Sequence, residues 1–132
     1  MRDACIEYSI DGYNCKVIKA ESLPQQLQMI KEQTRGISAS PFGVDIVIEN
    51  IGRMSIALAD KTVLCYKSAD LDVQLTALGD LHAEGNTSFY FDDLTLMSNK
   101  YLIAYEPALD AVIHWINTAE LSDRISWTDV LY

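Results

Sequence analysis

Apolar residues recur at every second position through much of the chain. Val44, Ile46 and Ile48 form one such series. This period is typical of a β-strand that buries one face. It predicts strands at residues 5–10, 13–20, 44–49, 54–59, 62–67, 87–91, 93–97 and 100–104. The joins between the three central strands are short, which favours an antiparallel meander.

Two other segments have the spacing of amphipathic helices. In the first, the helical stripe consists of Leu23, Leu27, Ile30 and Thr34. Ser22 before this stripe is a plausible N-cap and Gly36 after it a helix end, so we expect a helix between them. The second helix opens at residues 106–107 and reaches residue 117, with a buried stripe of Leu109, Val112, Ile113 and Ile116.

These elements predict an α+β fold, a mostly antiparallel sheet with helices packed on it. The length of 132 residues suits a single domain spanning residues 1–132. Residues 69–85 are ambiguous, and we expect a mobile loop with some helix there. Residues 117–126 read as an irregular tail, and Trp127 is expected to cap the core.

The cysteines are expected to be three reduced and mostly buried thiols. A two-residue turn at residues 11–12 would pair Tyr8 with Cys15 in the first hairpin. That register places Cys5 on the other face of the hairpin from Cys15, which argues against a bridge. Cys65 is distant in sequence, and no two cysteines have the spacing of a metal knuckle.

Acidic residues outnumber basic ones, and the chain carries a net charge of −9. This charge argues against nucleic acid or an anionic membrane as a direct partner, because either would repel the protein. The absence of a long apolar run or a secretory signal pattern predicts a cytoplasmic protein. Residues 1–67 contain eight acids and eight bases, so residues 68–132 carry the whole excess.

Six acids fall in a stretch that has no lysine or arginine: Asp70, Asp72, Asp80, Glu84, Asp92 and Asp93. One interpretation is a solvated acidic face that keeps the protein in solution. The other is a docking surface for a basic partner, since clustered charge of one sign speeds encounter with the opposite sign. The sequence leaves both open.

An aromatic run stands between these acids. Strand alternation would direct Phe89 and Phe91 into the core and leave Tyr90 exposed. A tyrosine rimmed by carboxylates is typical of an interface anchor. We therefore add Tyr90 to the six acids as a candidate partner-binding set.

No motif for nucleotide binding, zinc chemistry or a serine hydrolase is present, and no catalytic residue, metal or cofactor is expected. The carboxylates at residues 70–72 and 92–93 are a weak alternative as a hard-cation site. Another weak alternative is an acid–base group formed by His82 with Asp80 and Glu84, as in a small hydrolase.

Residues 85–132 resemble the immunity proteins of bacterial polymorphic toxin and contact-dependent growth inhibition systems, in the family numbered one. The likeness rests on three features: a glycine-led strand at residues 85–86, a short amphipathic helix at residues 107–117, and a closing Trp127. A family feature, a proline shortly before that tryptophan, is replaced here by residues 122–124, Ser-Asp-Arg.

The resemblance implies a cytoplasmic, non-enzymatic protein that binds the C-terminal toxin domain of its own cell's effector and neutralises it. Toxins of this kind often act on nucleic acid, and a basic nucleic-acid groove would suit an acidic inhibitor. The main alternative is an adaptor or regulatory module with no toxin partner. A small hydrolase that uses carboxylates and His82 is the remaining alternative.

Overall fold

The computed structural model describes residues 3–9 and 12–132. The strands are β1 (Ala4–Ser9), β2 (Tyr13–Ile18), β3 (Gly43–Ile48), β4 (Gly52–Ala57), β5 (Lys61–Thr62), β6 (Leu64–Ser68), β7 (Gln74–Ala77), β8 (Asn86–Phe91), β9 (Asp93–Ser98), β10 (Ile103–Ala104) and β11 (Trp127–Thr128). The helices are α1 (Leu23–Thr34) and α2 (Tyr105–Thr118), with single 3-10 turns at Ala20–Ser22 and Asn99–Tyr101.

Seven of the strands form one sheet in the order β11-β7-β6-β4-β3-β1-β2. Every registered pair in it is antiparallel. The meander predicted from the alternating central strands is the middle of this sheet, and α1 connects its edge strand β2 to the interior strand β3. The expected α+β architecture is confirmed.

Both helices cover one face of the sheet, which we call the helical face. The alternation that predicted the strands holds, because Val44, Ile46 and Ile48 all lie buried there. The predicted stripe of α1 is buried against the same core, from Leu23 to Thr34. Gly36 has a positive φ of 82° after the helix, as a helix-ending glycine should. Ser22 makes no side-chain cap.

Helix α2 buries a wider surface than its predicted stripe. Leu109, Val112 and Ile116 are buried as expected, whereas Ile113 is only half-buried. Trp115, outside the predicted stripe, is fully buried and packs edge-on against Tyr66 at a ring distance of 5.8 Å. Burial on two sides of this helix explains why a single stripe was too narrow.

Strands β8 and β9 form a separate hairpin, the β8–β9 hairpin, on the opposite face of the sheet. Phe89 is fully buried there in a second, smaller cluster with Ala57, Val63 and Tyr101. Gly43 permits the close approach, because a Cβ built on it would overlap the ring of Phe91. We call this opposite face the polar face of the sheet.

Two predictions for the second half of the chain need correction, and a third is confirmed with an added detail. Residues 69–85 contain no helix; they contain strand β7, whose Ala77 is buried beside β6. Residues 100–104 are not one continuous strand. A 3-10 turn at Asn99–Tyr101 comes first, and only the two residues of β10 then pair with β5. Trp127 caps the core as expected, but it does so as part of β11 on the edge of the sheet.

The prediction for the first hairpin was wrong in register and in redox state. Cys15 lies opposite Glu7, not Tyr8, so the pairing is shifted by one residue. The shift puts Cys5 and Cys15 on the same face, where a disulfide joins them at a Cα–Cα distance of 6.1 Å. Cys65 is the free cysteine and is half-buried. Of the predicted turn residues 11–12, residue 11 lies outside the described residues.

Candidate protein-binding surface

The β8–β9 hairpin has an inner face and an outer face. Phe89 and Phe91 point inward, as the alternation predicted. On the outer face Tyr90 lies directly opposite Leu94, and Ser88 lies opposite Leu96. The two leucines are 61% and 65% exposed, so the hairpin presents apolar side chains to solvent.

The backbone of β9 has a free edge. Tyr90 donates its N–H to the carbonyl of Pro41, away from β9. In an antiparallel pair this makes Tyr90 and Leu94 a non-hydrogen-bonded pair, so the peptide groups of Leu94 and Leu96 point outward from the hairpin. Among the described residues β8 is the only strand that pairs with β9.

Tyr90 is not the freely exposed anchor that the alternation predicted. It is half-buried, and its ring stacks on Phe42 with 4.9 Å between ring centroids. The same contact is reinforced by a parallel bridge between the two residues. Tyr90 therefore connects the hairpin to the chain before β3, and Leu94 and Leu96 are the more accessible apolar residues of this surface.

The six candidate acids do not form one cluster. Asp70 and Asp72 lie in the turn after β6, and Asp80 and Glu84 lie in the loop after β7. Because β6 and β7 are antiparallel, these two pairs lie at opposite ends of the strands. The remaining pair, Asp92 and Asp93, forms the turn of the β8–β9 hairpin, where the first of the two has φ of 62°.

Four of the six acids border the hairpin. Asp92 and Asp93 stand at its tip. At its base the side-chain amide of Asn99 donates to the carbonyl of Glu84 at 2.9 Å, which holds the loop that also carries Asp80 beside β9. Leu94 and Leu96 thus lie between two acidic ends.

All six candidate acids are exposed, and none forms a salt bridge with a described residue. Asp70 accepts hydrogen bonds from the Ser68 hydroxyl at 2.6 Å and from the Asp72 N–H at 3.0 Å. These two bonds hold the pKa of Asp70 below its usual value. The candidate acids therefore present negative charge that the described chain does not neutralise.

The polar face and the hairpin border a groove of ≈ 260 Å³. Four neighbouring strands contribute one residue each to its floor, directly opposite one another: Glu7, Asp45, Ser55 and Cys65. Phe91, Asp92 and Met97 line its hairpin side.

The carboxylates of the groove floor, unlike the candidate acids, are paired. Asp45 accepts from the Arg53 guanidinium at 2.7 Å and from the Ser55 hydroxyl at 2.6 Å. Glu7 lies 3.9 Å from the same guanidinium. The floor is thus an ion-pair network that joins β1, β3 and β4, in which one guanidinium faces two carboxylates.

The groove has no arrangement typical of nucleophilic catalysis. Burial raises the pKa of the Cys65 thiol, which disfavours the reactive thiolate. Ser55 donates to a carboxylate and not to a histidine. His82 and His114 are both exposed and lie outside this groove. Within residues 3–9 and 12–132, no three His, Cys, Asp or Glu side chains are grouped to hold a metal ion.

Leu94 and Leu96 were missed by the sequence analysis, although a signal was present. Once Phe89 is assigned to the core, a tight turn at residues 91–93 places Thr95 opposite it and turns both leucines outward. The Asp45–Arg53 pair was missed for a different reason. It depends on the alignment of β3 with β4, which the turn between them sets.

Comparison of the sequence with models of known protein families finds no match, and comparison with curated proteins finds none. In the part of the chain that the structure describes, no helix has the length and apolar character needed to cross a membrane. The surface described above is therefore the feature of the molecule that bears on function.

Proposed function

We propose that this chain is an immunity protein, which binds a bacterial toxin domain that acts on nucleic acid and blocks its substrate groove. The observation that carries the proposal is the set of exposed carboxylates without counter-charge, four of which border a protruding hairpin with exposed leucines. As an immunity protein it would act in the cytoplasm of the cell that makes the toxin.

The chemistry of the partner follows from the charge of this surface. A domain that cleaves or modifies nucleic acid presents lysine and arginine to phosphates. Carboxylates such as Asp92 and Asp93 attract the same side chains. These carboxylates would therefore occupy the nucleic-acid groove of the toxin domain and exclude its substrate. Exposed leucines beside them add the apolar contact area that a stable interface requires.

Inhibition of this kind needs no turnover by the chain itself. The alternative of a hydrolase built on His82 is less well supported, because this imidazole is exposed and lies outside the groove. A His82→Ala variant would lose all activity if the chain were such an enzyme and would protect fully if it is an immunity protein. An adaptor with no toxin partner remains the second candidate, favoured by the same acidic surface.

An immunity gene is expected to follow its toxin gene, so the direct test is co-expression with the C-terminal domain encoded by the gene that precedes this one. Cells that express the toxin domain should survive only when the chain is present. A variant with Asp70, Asp72, Asp92 and Asp93 each changed to lysine should lose protection while it remains folded, with thermal unfolding lowered only by the loss of the turn hydrogen bonds that Asp70 and Asp93 accept.

A charge-matched control separates the surface from net charge. Glu49, Asp110, Glu120 and Asp123 are exposed, form no salt bridge with a described residue, and lie outside the candidate set. Changing these four to lysine alters net charge equally and should leave protection intact. If both variants protect, the acids are not the contact; if the original chain does not protect, the adaptor interpretation replaces the immunity function.

Salt dependence tests the same surface in vitro. The Debye length is about 10 Å at 0.1 M salt, so steering by exposed carboxylates weakens as salt rises. The association rate with the purified toxin domain should fall between low and high salt for the original chain and for the control variant. An association rate independent of salt would contradict steering.

A further inference from the structure

We propose that the outer edge of β9 binds an extended basic segment of the partner, which adds as a third strand to the β8–β9 hairpin. This inference rests on the proposed function and specifies how the toxin domain is held. It concerns the backbone of residues 93–98 and the charges at its two ends.

The direction of the peptide groups in β9 favours strand addition. Two hydrogen bonds define it: Tyr90 donates away from β9 to Pro41, and Asn99 donates across the hairpin to Gly85. Both require that Leu94 and Leu96 direct their peptide groups away from β8. The N–H of Leu94 is accepted by the side chain of Asp93 at 2.8 Å, so the N–H and C=O of Leu96 are the central pair that an added strand would meet.

The side chains on that edge strand also favour strand addition. Leu94 and Leu96 are both more than half exposed, on the outer face of the hairpin. Unprotected edge strands with apolar side chains are templates for strand addition. An added strand would place its own side chains beside these leucines and remove apolar surface from water.

The acidic residues at the two ends of β9 favour a basic occupant. Strand β9 has six residues, which span about 20 Å at the usual rise of a strand. Asp92 and Asp93 stand at one end, and the loop with Asp80 and Glu84 is held at the other. Lys100 is the basic residue nearest to β9 in sequence. It makes no salt bridge with a described residue, so it is not paired with any of these acids. A segment of matching length with lysine or arginine at both ends complements this edge.

The same charges argue against a second copy of this chain on the edge. Each copy has a net charge of −9, so association of two copies is opposed by repulsion. Acidic residues beside an edge strand are also a common protection against self-pairing. The occupant that fits is therefore a basic heterologous strand.

The test uses the full chain and a synthetic peptide as long as β9, in which lysine alternates with valine. In an NMR titration at low salt, the amide signals of Leu94, Leu96 and Ser98 should shift, and hydrogen exchange at Leu96 should slow. The same peptide with N-methyl groups on alternate backbone nitrogens cannot form the ladder and should bind roughly tenfold more weakly. A peptide with glutamate in place of lysine should not bind.

A matched pair of variants tests the edge from the protein side. Leu96→Pro removes a donor that points away from β8, so it blocks strand addition without removing a hydrogen bond of the hairpin. Leu96→Ala keeps the donor and loses only apolar area. Peptide affinity should fall about tenfold or more in the first variant and only a few-fold in the second. If Leu96→Pro fails to fold, the N-methylated peptide still decides the question on the original chain.

Several outcomes would overturn the inference. They are shifts confined to residues 69–73, no binding of the lysine peptide, equal binding of the N-methylated peptide, or a dimer of this chain that forms through β9. In co-expression with the toxin domain, full protection by Leu96→Pro would reject the edge while leaving the immunity function intact. Failure of the original chain to protect would reject the immunity function itself.

Discussion

The helical face and the polar face of the sheet are formed by the same strands but are built in different ways. Residues such as Ile46 and Ile56 on the helical face are completely buried under two helices. On the polar face the corresponding positions hold Asp45 and Ser55, and only the β8–β9 hairpin covers part of them. The comparison indicates that the helical face supplies most of the stability, whereas the polar face carries the hairpin of the proposed recognition surface.

The largest difference between the faces should appear on removal of Trp115. We expect Trp115→Ala to lower the free energy of unfolding by about 3–5 kcal/mol, because a fully buried indole leaves a cavity. Its Nε1 has no hydrogen-bond partner among the described residues, so no hydrogen bond is lost with the indole. Urea denaturation measures this free energy of unfolding.

Val17→Ala, at a 68% exposed position on the polar face, should change stability by less than about 0.5 kcal/mol. Similar losses in both variants would contradict the comparison.

Phe89 tests the smaller cluster under the hairpin. We expect Phe89→Ala to cost about 3 kcal/mol, the lower end of the range for a buried aromatic residue, because the hairpin can settle into the space. Hydrogen exchange should show the loss locally, with β8 and β9 amides losing more protection than those of β3 and β4. Equal loss in all four strands would show that the hairpin and the sheet open as one unit.

The disulfide on the polar face gives the next effect. Replacing Cys5 and Cys15 with serine should lower stability by about 2–3 kcal/mol, since the bridge restricts the unfolded chain. Denatured protein purified without reductant should contain one reactive thiol, and three after reduction. Three thiols before reduction would restore the expectation of reduced cysteines. Because reducing compartments disfavour disulfides, alkylation in intact cells would also show which state is present where the chain acts.

Gly43 tests the contact between the two layers. A methyl group at this position overlaps the ring of Phe91, so Gly43→Ala should cost about 2 kcal/mol as the hairpin is displaced. Gly36→Ala is not a fair control, because a positive φ strains it independently of space. Ala104→Gly, at an exposed position, controls for the change in backbone freedom. Amide shifts of β8 and β9 should report the displacement, and their absence would contradict it.

The smallest effect concerns Cys65 and changes reactivity but not stability. Burial raises the pKa of its thiol, so less thiolate is present at neutral pH than in the unfolded chain. Labelling by a thiol reagent should be slower in the folded than in the denatured protein, and it should accelerate as pH rises toward the raised pKa. Fast labelling at pH 7 would show that the thiol is accessible and ionised.

The helical face was predictable from sequence, and the polar face largely was not. Alternation at Val44, Ile46 and Ile48 depends only on local burial, which the sequence displays directly. Contacts on the polar face depend on how strands align. A shift of one residue in the first hairpin was enough to bring Cys5 and Cys15 onto one face.

The candidate site was predicted in part for the same reason. Exposure of the acids followed from composition, but their division among three segments depends on where β7 begins and ends. Strand β7 was not predicted because it is only four residues long and is flanked by aspartates and a glycine. Tyr90 was predicted to be free, but its environment depends on Phe42, which is remote in the chain.

The bare backbone at Gly43 also has a consequence for how such a surface can change. In the proposed complex, the groups of β9 that face the partner belong to a hairpin whose distance from the sheet is set from beneath, at the buried Gly43. Enlarging that residue would tilt the ribbon and re-aim the whole recognition edge at once. If β9 binds a partner as proposed, a change at this buried residue would alter specificity while every exposed side chain keeps its identity.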